Sequence, residues 1–267
     1  MESKTKVLYH ANCMDGLAAA WAAHSILGNE YVEYIPVQYG EEPPDVSGCT
    51  VYILDFSYRR DTLLKMYEEA LHVVVLDHHK SAQEDLKGLD FAYFDMQKSG
   101  AMMAWQYFRG SDLLVPNRIL LVQYRDLWKF ELPDSKAFNA GARALMDEFT
   151  IEQFNALDVG EAITAGNVLL KQEAVQLKGH FENRFPVTLC GNLGLACNAP
   201  YYHASELGNM LAKDCGTFGL VASYSGKTGL WHYSIRSIGD FDVSEIAKSF
   251  GGGGHKNAAG FTSSVLL

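Results

Sequence analysis

The segment HVVVLDHH, residues 72–79, decides the fold of this 267-residue chain. Its first five residues have the composition of a buried strand, and Asp77, His78 and His79 follow directly. A strand that is apolar throughout is typical of a parallel sheet that is covered on both faces. The segment therefore predicts an α/β domain with metal-binding or proton-transferring side chains at the carboxyl end of a central strand.

Two earlier strands are predicted to end in the same kind of side chain. The run KVLYH at residues 6–10 ends at His10, and the buried run TVYIL at residues 50–54 is followed by Asp55. Helical patterns separate the strands, which predicts a mostly parallel sheet with helices on both faces. Because ligands bind beyond the carboxyl ends of such strands, we expect His10, Asp55 and the 77–79 segment to lie at one edge.

The rest of the chain predicts a helical region followed by a smaller domain. Strand and helix patterns alternate again after residue 185, which is typical of a small α+β domain. We therefore divide the chain into a catalytic domain at residues 1–150, a helical linker at 151–184 and a C-terminal domain at 185–267. The later predicted elements are helices at 99–108, 116–127, 150–183, 204–213 and 243–250, and strands at 187–190, 218–224 and 230–235.

The charge distribution limits the partners that this chain would bind. The formal net charge is −10; residues 1–184 hold 17 Lys and Arg against 27 Asp and Glu, whereas residues 185–267 hold five of each. Binding of long DNA or RNA depends on neutralising many phosphates, so we expect no long nucleic acid as partner. Any nucleic substrate should be short, with its phosphates bound by metal ions and a few placed cations.

The sequence indicates neither a membrane segment nor a disulfide framework. Residues 17–27 are apolar but follow Asp15, contain His24 and lack a basic leader, so they predict a helix and not a signal peptide. The five cysteines include no C-x-x-C pair, and their odd number favours reduced thiols. We therefore expect a cytoplasmic protein without membrane association.

The residue types at the predicted edge suit a two-metal hydrolysis. Phosphoryl transfer to water needs a nucleophilic hydroxide and neutralisation of the equatorial oxygens, and two cations about 3.5–4 Å apart supply both. Carboxylates with some imidazole are typical ligands of Mn²⁺ or Mg²⁺. Asp55, at the end of a central strand, is placed to bridge two such ions.

These motifs resemble the DHH phosphoesterase superfamily. The resemblance rests on H-x-x-C-x-D-G at residues 10–16, on the lone Asp55 after a buried strand, and on VVVLDHH at 73–79. In the C-terminal part, SIRS at 234–237 and GGGGHKNAAGF at 251–261 resemble the substrate-binding domain that accompanies DHH domains in oligoribonucleases, exopolyphosphatase-like proteins and RecJ-type nucleases. The resemblance covers essentially the whole chain, with two independent motifs in the right order.

The resemblance implies a metal-binding set composed of His10, Asp15, Asp55, His78 and Asp126. His10 and Asp15 would bind different metals, and Asp55 would bridge the two. His79 would face the substrate phosphate, and Asp77 would orient or assist the water bound at the metals. Two Mn²⁺ ions are expected, while Mg²⁺, Co²⁺, Zn²⁺ and Fe²⁺ stay open. For Asp126, which follows Arg125 in a helical stretch, a surface ion pair or a helix-terminal role is the plain alternative.

Cys13 departs from the usual first motif, in which an aspartate occupies this place and the spacing from the histidine is one residue longer. A thiolate is a soft ligand that favours Zn²⁺ or Fe²⁺ over Mn²⁺. The first metal site is then weaker, differently loaded or empty. Simple packing of a small buried thiol is the alternative to a ligand role for Cys13.

The resemblance also implies where the substrate binds. Arg236, the amides of Gly252, Gly253 and Gly254, and His255 would hold the phosphate end, since glycine backbone lets N–H groups approach an anion closely. Ser99 begins a segment that resembles the helix start facing the site in this family, although capping alone would explain a serine there. An edge-strand cation at Arg236 and a flexible linker at 251–254 are the plain alternatives.

Three functions compete at this stage. The leading hypothesis is hydrolysis of short phosphodiesters, namely oligoribonucleotides or dinucleotides, or of nucleotide phosphates, in a cleft between the two domains. A polyphosphate or phosphoanhydride hydrolase is the second, and the few cations of the C-terminal domain argue against it. A non-catalytic nucleotide-binding protein is the third, motivated by Cys13. Whether the chain forms a homodimer is left open.

Overall fold

The structure, a computed structural model, describes residues 4–110 and 114–267. The described residues divide into two compact units, the first ending at Leu170 and the second spanning Lys171–Leu267. Among the helices within the described ranges, none has both the length and the apolarity needed to cross a membrane.

The first unit is built on a five-stranded parallel sheet in the order β2-β1-β3-β4-β5. Its strands are β1 (Thr5–His10), β2 (Val32–Val37), β3 (Thr50–Leu54), β4 (His72–Asp77) and β5 (Ala92–Phe94). The helices are α1 (Met14–Leu27), α2 (Arg60–Glu69), α3 (Lys80–Asp85), α4 (Gly100–Arg109), α5 (Asn117–Asp126), α6 (Ser135–Leu145), α7 (Ile151–Ala156) and the start of α8 (Val159–Glu182).

Hydrophobic cores cover both faces of this sheet, as the continuous apolar strands predict. On one face, Val7 and Val74 pack with Leu17 of α1 and with α4. On the other face, Val73 and Val75 pack with Leu63 of α2. The predicted fold class, α/β with a mostly parallel sheet, is therefore confirmed, and β1, β3 and β4 are neighbours whose carboxyl ends share one edge.

The second unit is a six-stranded mixed sheet with helices, in the order β10-β11-β9-β8-β7-β6. Its elements are β6 (Phe185–Leu189), β7 (Asn192–Asn198), α9 (Ala204–Cys215), β8 (Phe218–Ser225), β9 (Leu230–Ser237), α10 (Val243–Ser249), β10 (Gly253–His255) and β11 (Ala258–Ser263). Only β7 and β8 pair in parallel among the described strands of this sheet. Phe218, Ile235 and Phe261 pack with Val243 and Ile246 of α10 in its core.

One predicted helix and one alternative for the glycine segment differ from the structure. The continuous helix at 150–183 is two helices, because Leu157 is extended and the Asp158 carboxylate accepts the N–H of Glu161 at 2.8 Å, which starts a new helix. The division between the two compact units falls inside the second of these, α8. The alternative of a flexible linker at 251–254 is wrong, because Gly253 and Gly254 form β10 and pair with β11.

Candidate metal and phosphoester site

Three neighbouring strands end in the side chains that form the centre of the candidate site. His10 ends β1, Asp55 follows β3, and His78 follows β4. His10 Nδ1 lies 3.5 Å from Asp55 Oδ2, and His78 Nε2 lies 3.1 Å from Asp55 Oδ1. Asp55 thus lies between the two imidazoles at the carboxyl edge of the sheet.

One group of metal-competent atoms consists of His10, Cys13 and Asp55, whose donor atoms all lie within 4.8 Å of one another. His10 Nδ1 and Asp55 Oδ2 are buried atoms without a hydrogen-bond partner within the described ranges. Such orphaned polar atoms are costly unless something binds them. The Cys13 thiol therefore lies beside two polar atoms that have no hydrogen-bond partner among the described residues. This arrangement favours a metal-ligand role for Cys13 over simple packing of its thiol.

A second group consists of Asp15, His78 and Asp126, again with donor atoms within 4.8 Å of one another. His78 Nε2 lies 3.5 Å from Asp15 Oδ2 and 3.6 Å from Asp126 Oδ2. Asp126 is the last residue of α5, and its side chain is 30% exposed, whereas Asp15 and His78 are buried. The helix end therefore presents the Asp126 carboxylate to the sheet edge, as its proposed ligand role requires.

The electrostatics of this edge favour bound cations. Burial, followed by the charges of Asp55 and Asp126, raises the pKa of Asp15 well above its usual range. Burial alone would also raise the pKa of Asp55, but contacts with His10 and His78 hold it well below its usual range. Burial opposes the charged form of His78, yet Asp55 and Asp126 raise its pKa. The carboxylates of Asp15, Asp55 and Asp126 lie together at this edge, and the N, O and S donor atoms are of the types that hold divalent cations.

Asp77 fixes the position of His79. Asp77 is completely buried, and its Oδ1 accepts the backbone N–H of His78 at 2.7 Å and contacts His79 Nδ1 at 2.6 Å. Burial by itself would lower the pKa of His79, but the charge of Asp77 and its hydrogen bond raise it. The pair is therefore a carboxylate–imidazole unit with a fixed ring orientation.

The start of α4 holds Asp15 through its backbone. Gly100 N–H donates to Asp15 Oδ2 at 2.6 Å, and Ala101 N–H donates to Oδ1 at 2.9 Å. A helix N-terminus favours a carboxylate in this position. We expected Ser99 to face the substrate; instead its side chain is fully buried, and its hydroxyl accepts the N–H of Met102 at 3.3 Å as the cap of α4.

The side-chain pattern missed Tyr39, which follows β2. Its ring centroid lies 5.1 Å from that of His10 and 6.1 Å from that of His79, and the residue is 55% exposed. Burial of the hydroxyl, followed by the charges of Asp77 and Asp55, raises the pKa of Tyr39. At neutral pH the side chain is therefore a phenol that can donate a hydrogen bond beside the site. Its place two residues after the end of β2 was the available signal.

In the second unit, Arg236 is held on β9. Its Nη2 donates to Ser205 Oγ and its Nη1 donates to the carbonyl of Ile235, both at 2.9 Å. Ala258 of β11 pairs with Arg236 on one side and with His255 of β10 on the other. Because opposite residues of antiparallel strands share a face, Arg236 and His255 project from the same face of this sheet.

The glycine segment at residues 251–254 is part of regular structure and is not an exposed loop. Gly252 N–H donates to the carbonyl of Ala247 at 2.8 Å, so this amide is used in closing α10 and does not match the expected phosphate contact. Gly253 and Gly254 lie on β10, which is an edge strand of the sheet. Gly254 has a φ of 142°, a conformation that favours glycine. We keep Gly253, Gly254 and His255 as the proposed phosphate-binding residues of this segment.

A family model matches most of the second unit, and two relatives align with nearly the whole chain. Residues 194–265 match the family model described as the DHHA1 domain. An uncharacterized protein of Acanthamoeba polyphaga mimivirus is 31% identical over 290 residues, which covers 97% of this chain and 68% of that protein. Oligoribonuclease NrnB of Bacillus subtilis (strain 168) is 27% identical over 293 residues, which covers 95% of this chain and 71% of that protein.

Solved structures share the fold at low sequence identity. RecJ of Thermus thermophilus in complex with Mn²⁺ aligns with a TM-score of 0.57 at 16% identity, over 97% of this chain and 49% of that one. A structure described as exonuclease RecJ bound to manganese aligns with a TM-score of 0.56 at 14% identity, over 97% of this chain and 86% of that one. At these identities the likeness concerns the fold alone.

Proposed function

The chain belongs to the DHH phosphoesterase superfamily, and on this premise we propose that it is a two-metal hydrolase of short phosphodiesters. The observation that carries the proposal is the meeting of two donor groups at one sheet edge: His10, Cys13 and Asp55 form one, and Asp15, His78 and Asp126 form the other. Bound divalent cations would neutralise the phosphoryl oxygens and make water a nucleophile at neutral pH.

Residues of the chain would hold the cations, orient the water and bind the substrate phosphates. Asp55, between His10 and His78, would bridge the two cations. His79, whose Nδ1 contacts Asp77, would donate a hydrogen bond from its other ring nitrogen to a phosphoryl oxygen and stabilise its negative charge. The buried Asp77 Oδ2, which has no hydrogen-bond partner within the described ranges, would orient the attacking water. In the second unit, Arg236 and His255 would bind a phosphate group of the substrate.

We propose short oligoribonucleotides or dinucleotides as the substrate class. The formal net charge of −10 disfavours a long nucleic acid, whose binding depends on the neutralisation of many phosphates. The curated relative from Bacillus subtilis is described as an oligoribonuclease, which supports the same class. For the cations we propose Mn²⁺ at the group of Asp15, His78 and Asp126, because carboxylates with imidazole suit this ion.

A hydrolysis panel tests the function. Wild type and Asp55→Asn are incubated in Mn²⁺ with dinucleotides, five-nucleotide RNA, a cyclic dinucleotide, a nucleoside 3′,5′-bisphosphate and polyphosphate. We expect hydrolysis of the short RNA and dinucleotides, lost in Asp55→Asn and after chelation, and kept in Asp147→Asn, a substitution of an exposed acid. Preference for polyphosphate would replace the proposed substrate class. Metal binding without turnover of any compound would favour the non-catalytic nucleotide-binding function.

A further inference from the structure

A cluster of two cations and two aromatic rings extends from the last turn of α5 to the first turn of α6, beside the candidate site. Arg125, Trp128, Phe130 and Lys136 form this cation–aromatic cluster. Arg125 Cζ lies 4.5 Å from the Trp128 ring centroid, and Lys136 Nζ lies 4.2 Å from that of Phe130. The two rings meet edge to face at 4.9 Å between centroids. Each cation is also within 6 Å of the other ring, so the four side chains form one unit.

The cluster lies at the same edge of the sheet as the metal-competent groups. Asp126 stands directly after Arg125 and contacts His78. Asp126 thus locates the Arg125 end of the cluster beside the metal-competent groups. Residues 125–136 hold three Lys and Arg and three Asp and Glu, so this segment is neutral in a chain whose formal net charge is −10.

The backbone holds Trp128 in a fixed and unfavourable conformation. Its φ is 57°, which a bulky residue rarely adopts, while Lys129 N–H donates to the carbonyl of Tyr124 at 2.9 Å. Non-glycine residues in this conformation concentrate at ligand clamps and active sites. Phe130 is 37% exposed and Trp128 is partly exposed, so ring surface remains accessible to a ligand.

We propose that this cluster binds one nucleotide of a short oligonucleotide substrate. The base of this nucleotide would stack on Trp128 and Phe130. Its phosphate, which is not the one that is hydrolysed, would pair with Arg125 and Lys136. The cluster would then set substrate length, because it provides for one further base and phosphate next to the scissile bond. This inference rests on the proposed function and names residues that would decide its specificity.

The test compares dinucleotides that lack one feature each. Three ligands are titrated in Mn²⁺ against Asp77→Asn, a background chosen to prevent turnover: the 5′-phosphorylated diadenylate pApA, ApA without that phosphate, and pApA with both bases removed. Trp128→Ala should raise the Kd of pApA about 5- to 100-fold, with the effect lost on the abasic ligand and largely restored in Trp128→Phe. Arg125→Ala should weaken pApA binding but leave ApA binding unchanged.

The matched control is Arg184→Ala, which removes an arginine 4.1 Å from the Phe181 ring in the second unit. It should leave the Kd of all three ligands unchanged. Equal effects of Trp128→Ala on pApA and its abasic form, or no effect on either, would overturn the inference. In the active background, Trp128→Ala and Arg125→Ala should each raise KM for pApA and keep kcat within about twofold. If wild type hydrolyses nothing, the proposed function fails, while the titration still decides on the cluster.

Discussion

Gly100 and Asp55 approach each other more closely than a side chain at position 100 would allow. A Cβ atom built on Gly100 would lie 2.5 Å from Asp55 Cβ and 2.8 Å from Asp55 Oδ1. Asp55 itself is held in the left-handed region with a φ of 63°. The start of α4 is therefore in contact with the proposed bridging carboxylate and also donates two N–H groups to Asp15.

Gly100→Ala should accordingly damage both stability and metal binding. The added methyl forces Asp55 or α4 to move, which we expect to cost about 1–3 kcal/mol of unfolding free energy and to weaken Mn²⁺ binding. Gly179→Ala in α8 is the control, because its Cβ would meet nothing within 4 Å and should stabilise the helix by up to about 1 kcal/mol. Urea unfolding and calorimetric titration with Mn²⁺ measure both effects. Similar results for the two variants would contradict the close-contact argument.

Metal binding should be visible in stability without any assay of activity. Mn²⁺ at about 100 times its Kd should raise the unfolding free energy of the chelator-treated protein by about 2.7 kcal/mol. Asp15→Asn and Asp126→Asn each remove a carboxylate beside His78, so this gain should fall by more than half in either variant. Asp147→Asn, at an exposed position, should keep the full gain. An unchanged gain in the two site variants would mean that the ion binds elsewhere.

The fold could be predicted from the sequence mainly where strands are continuously apolar. The strand at 50–54 was predicted with its observed ends, and β1 and β4 to within one residue, because their buried side chains leave little ambiguity. β7 was missed, since Asn192 and Gly194 interrupt its pattern. β5 has only three residues and carries no usable periodicity. Pairing of β11 with β9 depends on contacts distant in sequence.

The candidate site could be predicted only for side chains that end strands. Because parallel strands align their carboxyl ends, the sequence alone predicts that His10, Asp55 and His78 lie together. The contribution of Gly100 could not, because it depends on backbone N–H groups and on the absence of a Cβ atom. Nor could the position of Tyr39, which depends on how the segment after β2 packs against His10.

Cys13 should give the first group a distinct metal preference. Its thiol lies with His10 and Asp55 among donor atoms within 4.8 Å of one another. Co²⁺-loaded wild type should show a thiolate-to-metal charge-transfer absorption that disappears in Cys13→Ser and persists in Cys190→Ser, since Cys190 is an exposed cysteine of the second unit. Cys13→Asp should lower affinity for Zn²⁺ and raise it for Mn²⁺. Persistence of the absorption in Cys13→Ser would exclude Cys13 as a ligand.

Arg236 should contribute to substrate binding through its planar guanidinium, which Ser205 and Ile235 hold in place. Arg236→Ala should raise KM for pApA about tenfold with little change in kcat, and Arg236→Lys should restore only part of this loss, because an ammonium lacks the two-pronged geometry that matches phosphate. Gly208→Ala would place a Cβ atom 2.8 Å from Arg236 Cγ and should reproduce part of the KM increase. Lys227→Ala, at an exposed lysine of the second unit, should change neither KM nor kcat. If Arg236→Ala behaved like Lys227→Ala in steady-state kinetics, Arg236 would be a structural residue of β9 and the proposed phosphate contact would be wrong.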